Sequence, residues 1–276
     1  MKIIKQSAHI VKEWSKMNLY ERCEFAGRIS HASEDKIKEG SAEEFVQRMV
    51  KLGHESVFEF ARIKFYESHA GTNLRQVRQW VKNNKNLGYA KAIYKKYPSF
   101  FIDCDNPNFI YYESRFNFHN DNLEIANDWI PVVIITNRAI SHQLVRYRKD
   151  VVYLQSSQRY IKYGDVEFID PEVYFPEIPR EEYYKGGKNT KELMRRAWMQ
   201  AMEDAEQDYI HCLSEGYPAQ AARLFLPNSA ATKLIMYASL DTWRHVFEQR
   251  ISDKADPMIR ELLEPLREEF IREGLA

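Results

Sequence analysis

The amino-acid sequence predicts an α+β protein in which a mixed sheet is packed with helices and the carboxyl-terminal third is helical. In residues 61–65, apolar side chains alternate with Arg62 and Lys64, the period-two pattern of a strand with one solvated face. Residues 131–136 form a short β-branched run that is typical of a buried strand. Beyond residue 189, apolar residues recur at helical spacing, so helices are expected to dominate the last part of the chain.

Helix signals flank the first predicted strand. A helix is predicted to begin at Ser41, where Glu44 follows with the spacing of a capping box, and to end at Gly53. A second helical stretch covers residues 73–82. Residues 54–59 are therefore interpreted as a junction between a helix and a strand.

The strand at residues 131–136 is predicted to lead into a helix that carries polar side chains. Asn137 has a side chain that can cap this helix, and Gln143 and Arg146 follow within it. Because these two residues are three apart, a helix would place them on one face, where both can reach one ligand.

The carboxyl-terminal third is predicted to contain four helical segments. The first covers residues 189–216, and the second begins at Pro218 and ends before Pro227. The third covers residues 230–250, with a break near residues 239–241. The last begins at Asp256-Pro257 under the capping-residue and proline rule, and Pro265 is expected to bend or end it.

Composition limits the class of protein. A chain of 276 residues can form one large or two small domains with a substantial core, and forty basic residues balance forty acidic ones. Polynucleotide partners are therefore not expected. Three widely spaced cysteines make neither a disulfide framework nor a zinc motif, and no run approaches the length of a membrane span. We therefore expect a cytoplasmic protein without metal or membrane partners.

The densest group of polar side chains lies within residues 141–160. It comprises Ser141-His142-Gln143-Leu144-Val145-Arg146-Tyr147-Arg148 and, further on, Ser157-Gln158-Arg159-Tyr160. Arginine stays protonated at any working pH and offers a planar fork of donors, which suits phosphate and a flat, carbonyl-bearing ring. The group therefore indicates a nucleotide site, although an isolated Arg-x-Arg pair is more often a solvated face or a structural ion pair.

These segments resemble the signature of the flavin-dependent thymidylate synthases, in which Arg-His-Arg precedes Ser-x-Arg-Tyr. Residues 54–59, His-Glu-Ser-Val-Phe-Glu, are similar to that family's His-x-Ser/Thr-x-x-Glu block before a strand. Residues 222–227, Ala-Arg-Leu-Phe-Leu-Pro, are similar to its Ala-Arg-x-x-Leu-Pro segment, and Arg250 to its later essential arginine. Four blocks in this order are much harder to obtain by chance than one motif.

The signature departs from the family pattern at several positions. Tyr147 stands where the family normally has His, and Phe60 stands where a second His is common. The spacer after Arg148 is one residue longer, so either Ser156 or Ser157 is the serine that contacts the nucleotide. We favour Ser157, because it keeps Ser-x-Arg-Tyr continuous.

The resemblance implies a reductive methylation. Deoxyuridine monophosphate (dUMP) becomes dTMP, with methylenetetrahydrofolate as the carbon donor and hydride passed from NADPH through FAD. It also implies a fold like that family's, a single domain over residues 1–276 with an insertion at residues 66–130, and a homotetramer whose sites are shared between subunits. No cysteine nucleophile and no metal are required.

The resemblance also implies roles for individual residues. Arg250 is the candidate catalytic residue, because a guanidinium can stabilise an ionised pyrimidine but cannot act as a general base. The side chains expected to bind dUMP are Gln143, Arg146, Ser157, Gln158, Arg159, Arg223 and Arg250. Those expected to bind FAD are His54, Ser56, Arg146, Tyr147, Arg148, Gln155, Ser239, Asp241 and His245, the last three at positions where Asn and Arg are frequent.

Two other functions remain open. A flavin-independent nucleotide hydrolase or transferase could use the same arginines, but it would need paired carboxylates to hold a metal. The acidic residues Glu203, Asp204, Glu206 and Asp208 are more simply interpreted as the solvated face of one helix. A noncatalytic nucleotide-binding homologue would fit the substituted flavin positions.

Overall fold

The computed structural model describes residues 1–65, 68–82, 96–101, 123–175 and 190–275. Part of the predicted insertion at residues 66–130 therefore lies outside the described residues. The chain divides into two compact units, one made of Met1–Ile10 with Val132–Ala276 and the other of Val11–Pro131. The single domain and the insertion stay predictions.

Strands and helices are interspersed along the chain. In chain order they are β1 (Lys2–Ile4), β2 (Ser7–Ile10), α1 (Leu19–Ser30), α2 (Ser41–Leu52), β3 (Arg62–Phe65), β4 (Ser68–Asn73), α3 (Leu74–Lys82), β5 (Leu123–Ile125), β6 (Trp129–Asn137), α4 (Arg138–Leu144), β7 (Val151–Gln155), β8 (Glu167–Ile169), α5 (Thr190–Ser214), α6 (Ala219–Ala222), β9 (Ala231–Ser239), α7 (Leu240–Arg250) and α8 (Pro257–Arg272).

A four-stranded sheet with the order β2-β6-β9-β7 forms the centre of the first unit. Strands β2 and β6 are antiparallel, with Ser7 opposite Ile135, and β7 and β9 are antiparallel, with Val151 opposite Ala238. Strands β1 and β8 pair in parallel as a separate two-stranded sheet. The predicted α+β class with mixed strand directions is confirmed.

Strand β9 corrects the prediction of a helix over residues 230–239. It lies between β6 and β7, and its residues 234–238 are fully buried. A strand that is buried on both faces has a nearly continuous apolar sequence, which lacks the alternation that distinguishes a strand from a buried helix. The carboxyl-terminal third is therefore helical apart from this nine-residue strand.

Helix α8 packs against the sheet of the same unit and is held by aromatic contacts with α7. Phe270 lies with its ring centroid 5.1 Å from that of Phe247 and 5.4 Å from that of Trp243. The helix begins at the predicted cap Asp256 and continues past Pro265, so this proline does not end it, and the alternative expectation of a bend stays a prediction. Buried residues on both sides of the proline, including Leu262 and Phe270, hold the two halves in the core.

The acidic residues of α5 do not all lie on a solvated face. Glu206 is buried, and its Oε1 accepts a hydrogen bond from the backbone N–H of Val166 at 2.8 Å. The same helix face buries Met202 and Tyr209 against Phe168 of β8. For Glu206 the prediction of a solvated carboxylate is wrong, since this side chain ties α5 to the segment before β8.

In the second unit, α1 and α2 pack closely. A Cβ atom placed on Gly27 of α1 would lie 2.4 Å from Cζ of Phe45 in α2, so only glycine allows this approach. The predicted helix from Ser41 to Gly53 is confirmed, but Gly40 is its N-cap. The Ser41 hydroxyl instead donates to the carboxylate of Glu24, so the predicted capping box is wrong.

Strand β3 is buried on both faces near its start, which corrects the prediction of one solvated face. Arg62 is only 6% exposed. Its guanidinium lies 3.7 Å from the ring centroid of Trp129 and forms an ion pair with Asp128 at 3.3 Å. Cation–π and charge pairing thus replace the water that the alternating sequence pattern led us to expect.

No helix in the described part of the chain is both long and apolar enough to cross a membrane. Over the same residues, no group of three or more His, Cys, Asp or Glu side chains is arranged to hold a metal ion.

Candidate functional site

Strand β6 leads directly into α4, as predicted. The Asn137 side chain accepts a hydrogen bond from the backbone N–H of Ile140 at 2.8 Å and caps the helix. The helix ends at Leu144, however, and Arg146 lies in the turn that follows it. The prediction that Gln143 and Arg146 share a helical face is therefore wrong, and Arg146 is exposed.

Two of the predicted site residues bond the guanidinium of Arg250, the last residue of α7. Arg250 Nε donates to the hydroxyl of Tyr147 at 3.1 Å, and its Nη1 donates to Oε1 of Gln143 at 3.3 Å. The rings of His245 and Tyr147 pack edge to face, with 5.8 Å between the ring centroids. Four predicted residues from two separate stretches of sequence are thus brought together.

Two further residues of this cluster were not predicted. Asp256 accepts a hydrogen bond from Gln143 Nε2 at 3.0 Å, and the hydroxyl of Tyr174 donates to the other oxygen of the same carboxylate. Burial alone would raise the pKa of Asp256, but hydrogen bonds from Tyr174, Gln143 and the first N–H groups of α8 outweigh it. The pKa of this carboxyl group therefore lies below its ordinary value.

The serine pair after β7 divides into a buried and a half-exposed residue. Ser156 is buried, with its hydroxyl 3.0 Å from that of Thr232 and accepting from the backbone N–H of Lys233 at 3.1 Å. The Ser157 hydroxyl accepts only a long bond, 3.4 Å, from the backbone N–H of Arg159. Ser156 thus joins the end of β7 to β9 by hydrogen bonds, whereas the Ser157 hydroxyl can rotate towards a ligand.

The neighbouring polar residues differ in exposure. Gln158 is buried, whereas Arg159 is exposed with its guanidinium over the ring of Tyr160 at 5.3 Å. Gln155 uses its amide nitrogen within the fold, donating at 3.0 Å to both Ser141 and Thr232. The dUMP role of Gln158 and Arg159 and the FAD role of Gln155 stay predictions.

A second positive centre involves Arg138, the first residue of α4, and Arg223, the residue that follows α6. The backbone N–H of Arg138 donates to the carbonyl of Asn228, five residues after Arg223. Burial lowers the pKa of the Arg138 guanidinium, and the positive charge of Arg223 acts in the same direction. Among the described residues neither arginine forms an ion pair with a carboxylate. Two neighbouring guanidinium groups of this kind attract an anion.

Tyr163 lies beside this positive centre. Burial raises the pKa of its hydroxyl to about 12, although the charge of Arg138 opposes the change. The hydroxyl therefore stays protonated at neutral pH and can donate a hydrogen bond. Neither Arg138 nor Tyr163 was predicted, because neither belongs to the segments that carry the resemblance.

The predicted flavin-binding residues are distributed over both units. Arg146, Arg148 and His245 are exposed in the first unit, and His54 and Ser56 are exposed in the second, where they follow the end of α2. The Ser239 hydroxyl caps α7 by accepting from the backbone N–H of Thr242 at 3.2 Å, and Asp241 pairs with Arg244 at 3.4 Å. The polar groups of Ser239 and Asp241 therefore already have partners within α7.

The guanidinium of Arg250 can stabilise negative charge but cannot remove a proton. Arginine only donates hydrogen bonds, and its pKa is far above neutral. Two of the three guanidinium nitrogens are occupied by Tyr147 and Gln143, and within the described residues the third, Nη2, has no partner. That edge is available to an acceptor oxygen of a ligand.

Residues 117–273, more than half of the chain, match the family model described as thymidylate synthase complementing protein. The chain belongs to this family, which confirms the family predicted from the sequence. A flavin-dependent thymidylate synthase of Corynebacterium glutamicum is 30% identical over 145 residues, 52% of this chain and 57% of that protein. One of Geobacter sulfurreducens is 35% identical over 127 residues, 46% of this chain and 49% of that protein.

The chain spans about half the length of the curated relatives it matches. A solved structure that aligns with this chain is that of a UMP/dUMP methylase, PolB, from Streptomyces cacaoi bound with 5-Br dUMP. It has a TM-score of 0.48 and 14% sequence identity, covering 99% of this chain and 93% of that one.

Proposed function

We propose that this protein is a flavin-dependent thymidylate synthase that converts dUMP to dTMP. Methylenetetrahydrofolate is the carbon donor, and NADPH supplies hydride by way of FAD. Membership of the family supports the reaction class. The observation that carries the proposal for this chain is the arrangement of Gln143 and Tyr147 around the guanidinium of Arg250.

The Arg250 cluster suits the pyrimidine ring of dUMP. Carbon 5 of uracil is a weak nucleophile, and it becomes more reactive when negative charge can develop on the ring oxygens. The Nη2 edge of Arg250 donates to such an oxygen, and a fixed donor aimed at developing charge is among the larger contributions to catalysis. Gln143 and Tyr147 hold the guanidinium, so it needs little rearrangement during the reaction.

The phosphate of dUMP is proposed to bind to the other arginines. The charge of Arg223 lowers the pKa of Arg138, and Arg159 is exposed on the segment that also carries Ser157 and Gln158. Paired guanidinium groups form short, charge-assisted hydrogen bonds with phosphate oxygens. The Ser157 hydroxyl, which has one weak hydrogen bond among the described residues, is a further donor.

The residues that remain available fit a flavin nucleotide. The exposed guanidinium groups of Arg146 and Arg148 suit its pyrophosphate, and His245 of the same unit adds a polar side chain. The roles of His54 and Ser56 in binding FAD stay predictions. When bound, FAD supplies the hydride that completes the transferred methyl group. Tyr147 contributes a fixed aromatic ring next to His245, and its hydroxyl remains bonded to Arg250.

The proposal also includes a homotetramer with shared sites and a cytoplasmic location. The homotetramer follows from the family resemblance, and the location from the composition. The homotetramer is tested by the mass of the assembly in light scattering. Its shared sites are tested by complementation between two inactive variants mixed in one preparation.

The decisive experiment uses the purified full chain. A yellow preparation whose flavin absorbance is bleached by NADPH, and which forms dTMP from dUMP and methylenetetrahydrofolate, would establish the reaction. A colourless protein that binds dUMP and ignores added FAD would reject it in favour of a noncatalytic nucleotide-binding homologue. That second candidate is favoured by Ser239 and Asp241, whose polar groups are engaged within α7. Release of phosphate or base from nucleotides without flavin would instead indicate a hydrolase or transferase.

A further inference from the structure

Asp256 is connected to the guanidinium of Arg250 through a single amide group. Its Oδ2 accepts from Gln143 Nε2 at 3.0 Å, and on the other side of that amide Gln143 Oε1 accepts from Arg250 Nη1 at 3.3 Å. The residues come from three separate stretches of chain within one compact unit. A charge on α8 can therefore influence a side chain at the end of α7.

The charge of Asp256 selects one orientation of the Gln143 amide. An ionised carboxylate only accepts hydrogen bonds and a guanidinium only donates them, whereas an amide has one accepting and one donating end. Only one of the two amide orientations satisfies both neighbours. The flipped amide would place oxygen against oxygen at Asp256 and two donors against each other at Arg250.

The carboxylate is itself held firmly. It is the N-cap of α8 and accepts from the backbone N–H of Met258 at 2.9 Å, while Tyr174 donates to it from a separate 3₁₀ turn. Met258 is fully buried, which anchors the start of the helix in the core. Asp256 is therefore a fixed reference point, whereas Gln143 and Arg250 have long side chains with many rotamers.

The orientation of Arg250 decides where its remaining donor edge points. Tyr147 holds Nε and Gln143 holds Nη1, so the plane of the guanidinium is set by two contacts. Loss of the Gln143 contact would leave only the Tyr147 contact, and the plane of the guanidinium could then rotate about it. A displaced donor weakens the stabilisation of developing charge more than it weakens ground-state binding.

We propose that Asp256 is a positioning residue, which acts through the Gln143 amide to fix the direction in which Arg250 presents its free edge to a pyrimidine nucleotide. The proposal rests on the function proposed above.

The test uses three variants: Asp256→Asn, Gln143→Ala and the double variant that combines them. Each is compared with the control variant Asp253→Asn. Asn keeps the size and the helix-capping oxygen of Asp256 but removes its charge. Asp253 is a matched control, because it lies three residues earlier, is fully exposed and pairs with Arg260 at its surface. We expect Asp256→Asn to lower kcat about tenfold and to raise the KM for dUMP less than about threefold. The double variant should be no slower than Gln143→Ala, and Asp253→Asn should match the wild type.

A second measurement requires no turnover. An arginine-specific dicarbonyl reagent, followed by peptide mass analysis, reports how firmly Arg250 is held. We expect Arg250 to be labelled about threefold faster or more in Asp256→Asn than in the wild type or in Asp253→Asn. Thermal unfolding of each variant shows whether the change is local.

The outcomes separate this inference from the proposed function. A wild type that binds dUMP but forms no dTMP rejects the function, and the labelling rates then decide the inference alone. In an active enzyme, the inference is overturned if the effects of Asp256→Asn and Gln143→Ala simply multiply. Equal labelling of Arg250 in the wild type and in Asp256→Asn overturns it in either case.

Discussion

The guanidinium of Arg250 is the side chain on which the proposed chemistry depends most. Arg250→Ala should lower kcat for dTMP formation at least about 100-fold, because it removes a charged donor aimed at the reacting ring. Arg250→Lys should recover only a small part, since a single ammonium cannot bond Tyr147 and Gln143 and still present a free edge. Steady-state kinetics with circular dichroism on the same samples measures activity and fold together.

A matched control lies on the same helix. Arg244 is more than half exposed and pairs with the fully exposed Asp241, so Arg244→Ala removes the same charge without touching the cluster. It should retain turnover close to that of the wild type. A folded Arg250→Ala variant that still forms dTMP at an undiminished rate would remove Arg250 from its catalytic role.

The lowered pKa of Asp256 makes part of the stability depend on pH. A carboxyl group whose folded pKa lies below its unfolded value, about 3.9, stabilises the native state fully above that value. This contribution is lost as the pH falls through the folded pKa. The stability advantage of the wild type over Asp256→Asn should therefore be constant near neutral pH and shrink below about pH 4. Urea unfolding of both proteins from pH 7 down to pH 3 measures it, and a gap that widens on acidification would contradict this account.

Single-residue patterns predicted much of the cluster but not its supporting contacts. Gln143, Tyr147 and Arg250 belong to segments with recognisable residue types in a recognisable order, and the structure brings them together. Asp256 was recognised only as a helix cap, because its contact with Gln143 joins residues 113 positions apart. Tyr174 has no local signal at all, since its role comes entirely from where its 3₁₀ turn lies beside α8.

At the scale of elements, the predictions succeeded where signals were local and failed where packing decided. The strand β6, the capped helix α4 and the long helix α5 follow from β-branched runs, an asparagine cap and helical spacing. Strand β9 was taken for a helix, because burial on both faces removed its alternation. Helix α1 was missed although Asn18 and Glu21 form a capping box at its start.

The contact between α1 and α2 gives a test at this scale. Gly27→Ala adds a methyl group that would lie 2.4 Å from Cζ of the buried ring of Phe45. Overpacking of this kind costs about 1–3 kcal/mol, which outweighs the gain of up to about 1 kcal/mol in helix propensity. The net result should be a lower free energy of unfolding, measured in urea.

Two companion variants make that result specific. Gly164→Ala is the control, because a Cβ atom there meets nothing within 4 Å, and it should leave stability almost unchanged. Phe45→Leu should partly relieve Gly27→Ala, so the double variant should lose less stability than the sum of the single losses. Strict additivity would mean that the two side chains do not clash.

Across the whole molecule, forty basic and forty acidic residues cancel, so attraction for the proposed dianionic substrate has to arise locally. The neighbouring guanidinium groups of Arg138 and Arg223 are such a local source. Arg223→Ala should raise the KM for dUMP about tenfold or more and change kcat less, because phosphate contacts bind substrate and transition state alike.

Salt distinguishes this local attraction from a general effect of charge. The wild-type KM for dUMP should rise as salt increases from about 0.02 M to about 0.5 M, and the rise should be smaller in Arg223→Ala, which has one cation fewer near the phosphate. Arg196→Ala removes the same charge from an exposed position on α5, where Arg196 pairs with Glu192. In this variant the KM for dUMP should rise with salt as steeply as in the wild type. An equal change in the salt dependence of KM in both variants would mean that the total charge of the protein decides the attraction. The phosphate would then have to bind away from Arg223.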